Sequence, residues 1–225
     1  MSGVLINAAS VAILGLLGVM FKRHLPAGIS DHLVKALGLC VLVLGLSSAL
    51  AARNISLLLL SIAVGTFIGE IIKLDDRLTN LGKAVEQQLS GLGGGNIAEA
   101  FVSGTLMFVI GSLAIIGSIE AGINNDITLL LSKSVLDGIL ALFLAAALGP
   151  GIALSAVSIL FFEGTLVLLS GGLRNFMTPE FINELSAVGG ILVAGIGLNF
   201  SGPAKIRVTN MLPALLVPVI WFLLA

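Results

Sequence analysis

The feature that most constrains this chain is a series of long, uninterrupted apolar runs. Residues 55–72 (ISLLLLSIAVGTFIGEII) hold a single charge, Glu70, and several other runs are as apolar. A helix needs about 20 such residues to cross a hydrocarbon core. No water is available there, so spanning segments are helices or a closed barrel. The runs are continuously apolar rather than alternating, which selects helices. The balance of the chain agrees: 57% apolar and 10% charged residues, where a soluble domain carries about 25% charged. The bilayer is the solvent, and the fold class expected is an all-α polytopic transmembrane bundle.

Eight runs read as spans: 4–20, 34–51, 55–72, 98–116, 129–147, 152–169, 185–200 and 211–224. The first has no basic leader and no small-residue cleavage motif, so it reads as a span rather than a signal peptide. Spans two and three are joined around Arg53-Asn54, and spans five and six at Gly149-Pro150-Gly151. Each pair forms a tight antiparallel hairpin. Between residues 73 and 89, Leu74, Leu78, Leu81, Val85 and Leu89 recur at three- and four-residue steps among charges and amides. That spacing predicts an amphipathic helix, lying on the membrane surface or packing on another subunit. Ser90–Gly95 (SGLGGG) is a breaker after it.

Shifting the sequence by about 97 lays spans two and three over spans five and six. Arg53-Asn54 then meets Pro150-Gly151, and Ser61-Ile62 meets Ser158-Ile159. This suggests a three-span repeat. The chain divides as a first repeat (1–72), an amphipathic linker (73–97), a second repeat (98–172) and a C-terminal two-span hairpin (173–225). Three is odd, so the second repeat is inverted, an arrangement of secondary transporters that bind substrate at the repeat interface. Lys22, Arg23, Lys35, Lys73, Arg77, Lys83, Lys205 and Arg207 fall on one side; Arg53, Lys133 and Arg174 fall on the other. The first side is therefore cytoplasmic, and both termini are extracytoplasmic.

Charges within spans require reasons. The densest polar stretch is Gly117–Gly138. Within it Lys133 and Asp137 are four apart on one helix face. They either neutralise each other inside the bundle or tether the helix near the interface, with Lys133 snorkelling. Glu120, Asn124 and Asp126 lie in a Gly- and Asn-rich turn, either a wet loop or a re-entrant break that brings acids to a cation. Ser132 flanks the pair. Glu163 is mid-span, so it must face the interior, be protonated or pair, with Lys133 or Arg53 as partners. Asn199 follows Gly195 and Gly197, where a broken helix would free carbonyls for a cation. The substrate- or ion-binding residues expected are therefore Glu120, Asn124, Asp126, Ser132, Lys133, Asp137, Glu163 and Asn199. Smaller polar residues inside spans, among them Asn7 and Ser10, read as helix-to-helix hydrogen-bond contacts.

Other chemistries find little footing. The single cysteine, Cys40, excludes an internal disulfide and a cysteine-based zinc site. His24 and His32 fit no common metal spacing. No phosphate-binding loop, catalytic triad or zinc-protease motif is present, and no basic patch with interleaved aromatics suggests nucleic acid. The expectation is a non-enzyme without metal or cofactor.

Three stretches resemble a known family. They are Leu129–Gly138 (LLLSKSVLDG), Ile116–Gly122 (IGSIEAG) and Gly197-Leu198-Asn199 through Lys205–Ala214 (KIRVTNMLPA). Over nearly its whole length the chain resembles the bacterial inner-membrane family of domain of unknown function 554, the YqgA/YdfK-like proteins. Near Glu163 that family often carries an amide. The resemblance implies a multi-pass plasma-membrane protein and no particular substrate.

The function expected is an ion-coupled secondary transporter, driven by H⁺ or Na⁺, of a small solute or ion across the bacterial inner membrane. The alternatives are a non-transporting scaffold or regulator and an oligomeric ion channel. Its partners would be the lipid bilayer, the solute or a monovalent cation, and a second copy of itself in a dimer.

Overall fold

In the computed structural model the apolar runs become helices. The structure describes residues 1–22, 27–80, 97–109, 111–173 and 177–224. In chain order the helices are α1 (Ser2–Lys22), α2 (Ala27–Ala49), α3 (Ile55–Ile72), α4 (residues 74–80), α5 (Ile97–Val109), α6 (Ser112–Ile123), α7 (Thr128–Leu148), α8 (Gly151–Leu173) and α9 (Pro179–Ser201). A 3-10 helix, Val208–Leu215, continues into α10 (Leu216–Leu224). No strand occurs among the described residues.

Within α1, α3, α7, α8 and α9 lie five stretches long and apolar enough to cross a membrane. The pair α5 and α6 gives a sixth if counted as one bent span, and Val34–Ala49 and Val208–Leu224 are shorter apolar segments. Side chains such as Leu59, Phe67 and Ile71 stand exposed on α3, as expected where lipid replaces water. The protein is a multi-pass helical membrane protein.

Local chemistry explains where several helices begin and bend. Asn54 caps α3 by accepting the Leu57 N–H at 3.0 Å. The Thr178 hydroxyl accepts the Phe181 N–H at 3.2 Å, and Pro179 opens the first turn of α9. That start is earlier than the residue 185 expected, because the cap lies within the polar stretch. Helix α2 likewise begins at Ala27, before the residue 34 expected. Pro213 and Pro218 lack N–H donors, and the last segment is accordingly 3-10 before it is α-helical. The predicted fourth span is not one straight helix: α5 and α6 are bent by 59°. Conversely, no break occurs at Glu120, since α6 runs on to Ile123.

Small residues let the backbones meet and show how the helices run. Gly3 faces Leu130 and Gly18 faces Leu142, so α1 and α7 are parallel. Gly38 meets Ser201 and Gly45 meets Ala194, so α2 and α9 are antiparallel. Gly65 meets Ala214 and Gly69 meets Asn210, which makes α3 antiparallel to the 3-10 helix. Gly104 meets Ser155 and Gly122 meets Ser170, so the bent pair α5–α6 runs parallel to α8.

The hairpins α2–α3 and α7–α8 have the layout expected of a repeat, yet their surroundings differ. α1 packs on α7 and α2 on α9, while α8 packs on α5, α6 and α1. Among the described residues α1 forms no comparable pairing with α3. Of the amphipathic segment, residues 74–80 are helical and Leu78 packs on the core. The Asp75 N–H donates to Asn210 Oδ1 at 2.7 Å. The rest of that segment, the SGLGGG breaker, Arg23, His24, Lys83 and Arg174 lie outside the described residues.

Candidate functional site

Four polar side chains from three helices converge where α1, α7 and α8 meet the end of α5. Asn7 and Glu163 are 0% exposed, Lys133 is 5% and Asp137 is 6% exposed. Lys133 and Asp137 sit one turn apart on α7 and are in direct contact. The Lys133 ammonium is also 3.5 Å from Glu163 Oε1 on α8. From α1, the Asn7 amide donates to Glu163 Oε1 at 3.1 Å, to Glu163 Oε2 at 3.3 Å and to Asp137 Oδ2 at 3.3 Å. One turn later the Ser10 hydroxyl donates to the Ser134 carbonyl at 2.8 Å, which fixes the register of α1 on α7. Lys133 thus points inward and does not snorkel.

The break between α5 and α6 completes the site. A helix end leaves its last four carbonyls without backbone partners. At the end of α5 the Phe108 carbonyl accepts from Lys133 Nζ at 2.5 Å. The ammonium therefore fills one of these vacancies and sits at the negative pole of the α5 dipole. Beyond the break, a Cβ added at Gly111 would have no atom of the described residues within 4 Å.

Two carboxylates face one ammonium. With all three ionised the cluster carries one uncompensated negative charge, and a buried unpaired charge is strongly unfavourable. The Asn7 Oδ1 atom is buried and has no hydrogen-bond partner among the described residues. One further positive charge would make the cluster neutral.

The other predicted residues lie elsewhere. Asn124 Nδ2 donates to Glu120 Oε2 at 2.6 Å on the exposed end of α6. Asp126 accepts the Thr128 N–H at 2.9 Å, and hydrogen bonds from Thr128 hold its carboxyl below the usual value of 3.8. The Ser132 hydroxyl, exposed, donates to the Thr128 carbonyl at 3.1 Å. Asn199 clamps the loop after α9, donating to the Ile206 carbonyl at 2.7 Å and accepting the Ile206 N–H at 2.8 Å. α9 is unbroken there. Of the eight residues expected, the structure groups Lys133, Asp137 and Glu163.

Two clefts flank the bent pair at opposite ends. One, of about 680 Å³, lies between α5, the end of α9 and the following loop, with Asp75, Glu99, Lys205 and Arg207 on its walls. The other, of about 350 Å³, lies between α6 and the start of α9, with Glu120, Asn124 and Asn183 on its walls. Glu120 and Asn124 thus line an outer cleft rather than the buried cluster.

Sequence reasoning placed Asn7 among ordinary helix contacts and had no signal for the Phe108 carbonyl. An amide inside an apolar first span, with one lysine and two acids inside later spans, is the one hint it offered.

Residues 2–223 match the family described as protein of unknown function (DUF554). The chain is 32% identical over 222 residues to the uncharacterized membrane protein YdfK of Bacillus subtilis (strain 168), covering 97% of this chain and 94% of that protein. It is 29% identical over 220 residues to the uncharacterized protein YqgA of Escherichia coli (strain K12), covering 96% and 93%. No solved structure matches.

Proposed function

The chain belongs to the DUF554 family, and for this member we propose an ion-coupled secondary transporter, driven by protons or sodium ions, that moves a small solute or ion. One observation carries this reading: the buried Lys133–Asp137–Glu163–Asn7 cluster, one positive charge short, at a helix break. A protein that needed only a solid membrane anchor would gain nothing from two acids and an ammonium in its interior, because desolvating them is unfavourable. Half-helix ends at midplane are a recurrent way to hold ions in transporters. Binding a cation would cancel the excess charge and release the hold of Lys133 and Asn7 on the acids. That change in contacts is what a carrier needs to favour a second state.

The topology that accompanies this reading has eight passes. α1, α2, α3, α5–α6, α7, α8, α9 and the 3-10/α10 segment would alternate in direction. Strict alternation requires α1 parallel to α7, α5–α6 parallel to α8, α2 antiparallel to α9, and α3 antiparallel to the 3-10 helix. All four directions are those of the glycine contacts. Both termini then share a side. Lys73, Arg77, Lys205 and Arg207 gather at the other end and Arg53 at theirs, which supports extracytoplasmic termini in a bacterial inner membrane. Of the inverted repeat, the hairpin layout gives support and the packing partners do not.

The test is flux. Wild-type protein and Asp137→Asn are reconstituted in proteoliposomes, and solute uptake is screened under imposed proton and sodium gradients. Gradient-dependent uptake in the wild type, reduced at least about tenfold in the mutant, is expected; loss of a carboxylate that balances the ammonium by about 1.4 kcal/mol already amounts to tenfold. Equal uptake by both proteins would clear Asp137 of this role. Absence of gradient-dependent uptake across the screen would remove the transport reading.

A further inference from the structure

We infer that the exchangeable cation is a single proton, carried by Glu163 and sensed by the Asn7 amide, and not a sodium ion. This deepens the transport reading above and rests on it.

The free lone pairs of the cluster distinguish a proton from a metal ion. A metal cation of the hard type needs a shell of oxygen atoms turned towards it. Here Asp137 Oδ2, both Glu163 oxygens and the Phe108 carbonyl already accept from N–H groups of Lys133 or Asn7. Those donors point into the space between the acids, where a metal ion would be repelled. A proton needs one lone pair and no shell.

Position decides which acid takes it. Asp137 touches the ammonium directly, whereas Glu163 is 3.5 Å from it. Asp137 also keeps a little exposure and Glu163 has none. The ionised form is therefore better supported on Asp137, and the proton belongs on Glu163. The charged groups facing Glu163 are Lys133 and Asp137 on α7. From α1 it faces the Asn7 amide. Glu99 on α5 and Glu120 on α6 line the distant clefts instead.

Asn7 is what makes the site responsive. With Glu163 ionised, the amide N–H group faces both acids. Once Glu163 carries O–H, that hydroxyl needs an acceptor. Asn7 Oδ1, buried and without a partner among the described residues, is the atom placed to serve. Rotating the amide by half a turn satisfies it and gives up the bond to Asp137. One O–H bond forms on Glu163, with the proton drawn from water at one face. The same bond breaks when it is returned to water at the other. No electron transfer or further reactant is involved. Because Asn7 ties α1 to α7 and α8, each proton bound would loosen that junction.

The experiment is infrared difference spectroscopy on the full chain in lipid, between alkaline pH and a mildly acid pH above the range in which exposed carboxylates protonate. A carboxylic C=O band is expected to appear on acidification, together with a change in the asparagine side-chain amide band. Glu163→Gln should remove the carboxylic band. Asn7→Leu should keep it and remove the amide change. The wild type alone also tests the idea: adding sodium at fixed alkaline pH should leave the carboxylate bands unchanged. A carboxylic band that survives in Glu163→Gln, with that variant unfolding at the wild-type temperature, would overturn the assignment, as would a sodium-induced carboxylate shift in the wild type. Flux separates the two readings. A proton band without gradient-driven flux sinks transport and keeps the proton site. Sodium-driven flux without the band does the reverse.

Discussion

Asn7 on α1 and Glu163 on α8, separated by 156 positions in sequence, meet through a 3.1 Å hydrogen bond in which both side chains are wholly buried. The same amide reaches Asp137 on α7 at 3.3 Å, so one side chain joins three helices. The stability of the bundle and the state of the cluster are therefore linked at this residue.

Asn7→Leu should lower the thermal unfolding temperature of the detergent-solubilised protein. It withdraws the only donor of Glu163 Oε2 among the described residues and leaves a buried acceptor unsatisfied, a loss of about 1–3 kcal/mol. A melting temperature equal to the wild type would show that the amide contributes nothing to holding α1.

Lys133→Met should be more damaging. Removing one partner of a buried ion pair destabilises by about 3–5 kcal/mol, because the remaining charges are left unpaired. Combining it with Asp137→Leu should recover part of the loss. Denaturant unfolding of the two variants gives the comparison; a double mutant less stable than Lys133→Met would contradict the charge argument.

Glu184 should govern the α2–α3 turn. Its Oε1 accepts the N–H groups of Arg53 and Asn54, each at 2.8 Å, while Arg53 also lies 3.7 Å from Glu180 at the surface. Glu184→Ala is expected to speed hydrogen exchange at those two amides several-fold, with little change in α7. Glu180→Ala should do much less, since exposed ion pairs contribute only about 0–1 kcal/mol.

Gly69→Ala and Gly164→Ala should differ. A Cβ on Gly69 would overlap the Asn210 carbonyl, whereas one on Gly164 would have, among the described residues, only the Met1 methyl, 3.7 Å away, within 4 Å. Overpacking costs about 1–3 kcal/mol, and alanine in a helix gains up to about 1 kcal/mol over glycine. The first variant should therefore melt lower than the wild type and the second at least as high.

Acid should weaken the α6–α7 connection through Asp126. Hydrogen bonds from Thr128 hold its carboxyl below its usual value of 3.8 in the folded protein. A lowered folded value means its contribution is complete above 3.8 and is lost as pH falls through the folded value. Asp126→Ala should thus differ from the wild type in melting temperature near neutrality and converge with it in strong acid. A difference that is constant with pH would assign the effect to something other than this carboxylate.

The sequence by itself determined the solvent and the elements. Long apolar runs with few charges admit only membrane helices, and tight turns at Arg53-Asn54 and Gly149-Pro150 were readable because their residues break helices locally. It also pointed to Lys133, Asp137 and Glu163, since a charge inside an apolar run is conspicuous on its own. Only the tertiary structure decided that these three meet, and that Asn7 and the Phe108 carbonyl join them. An amide in a span looks like any helix contact until its neighbours are known, and a backbone carbonyl has no sequence signature at all. The bend after Val109 was hidden for the same reason: Ile110-Gly111-Ser112 is compatible with a straight helix. What favours the break there is a partner for the freed carbonyl, and Lys133 lies 25 residues further along the chain. Long-range satisfaction of polar groups, which no local pattern encodes, turned a set of apolar helices into a charged site.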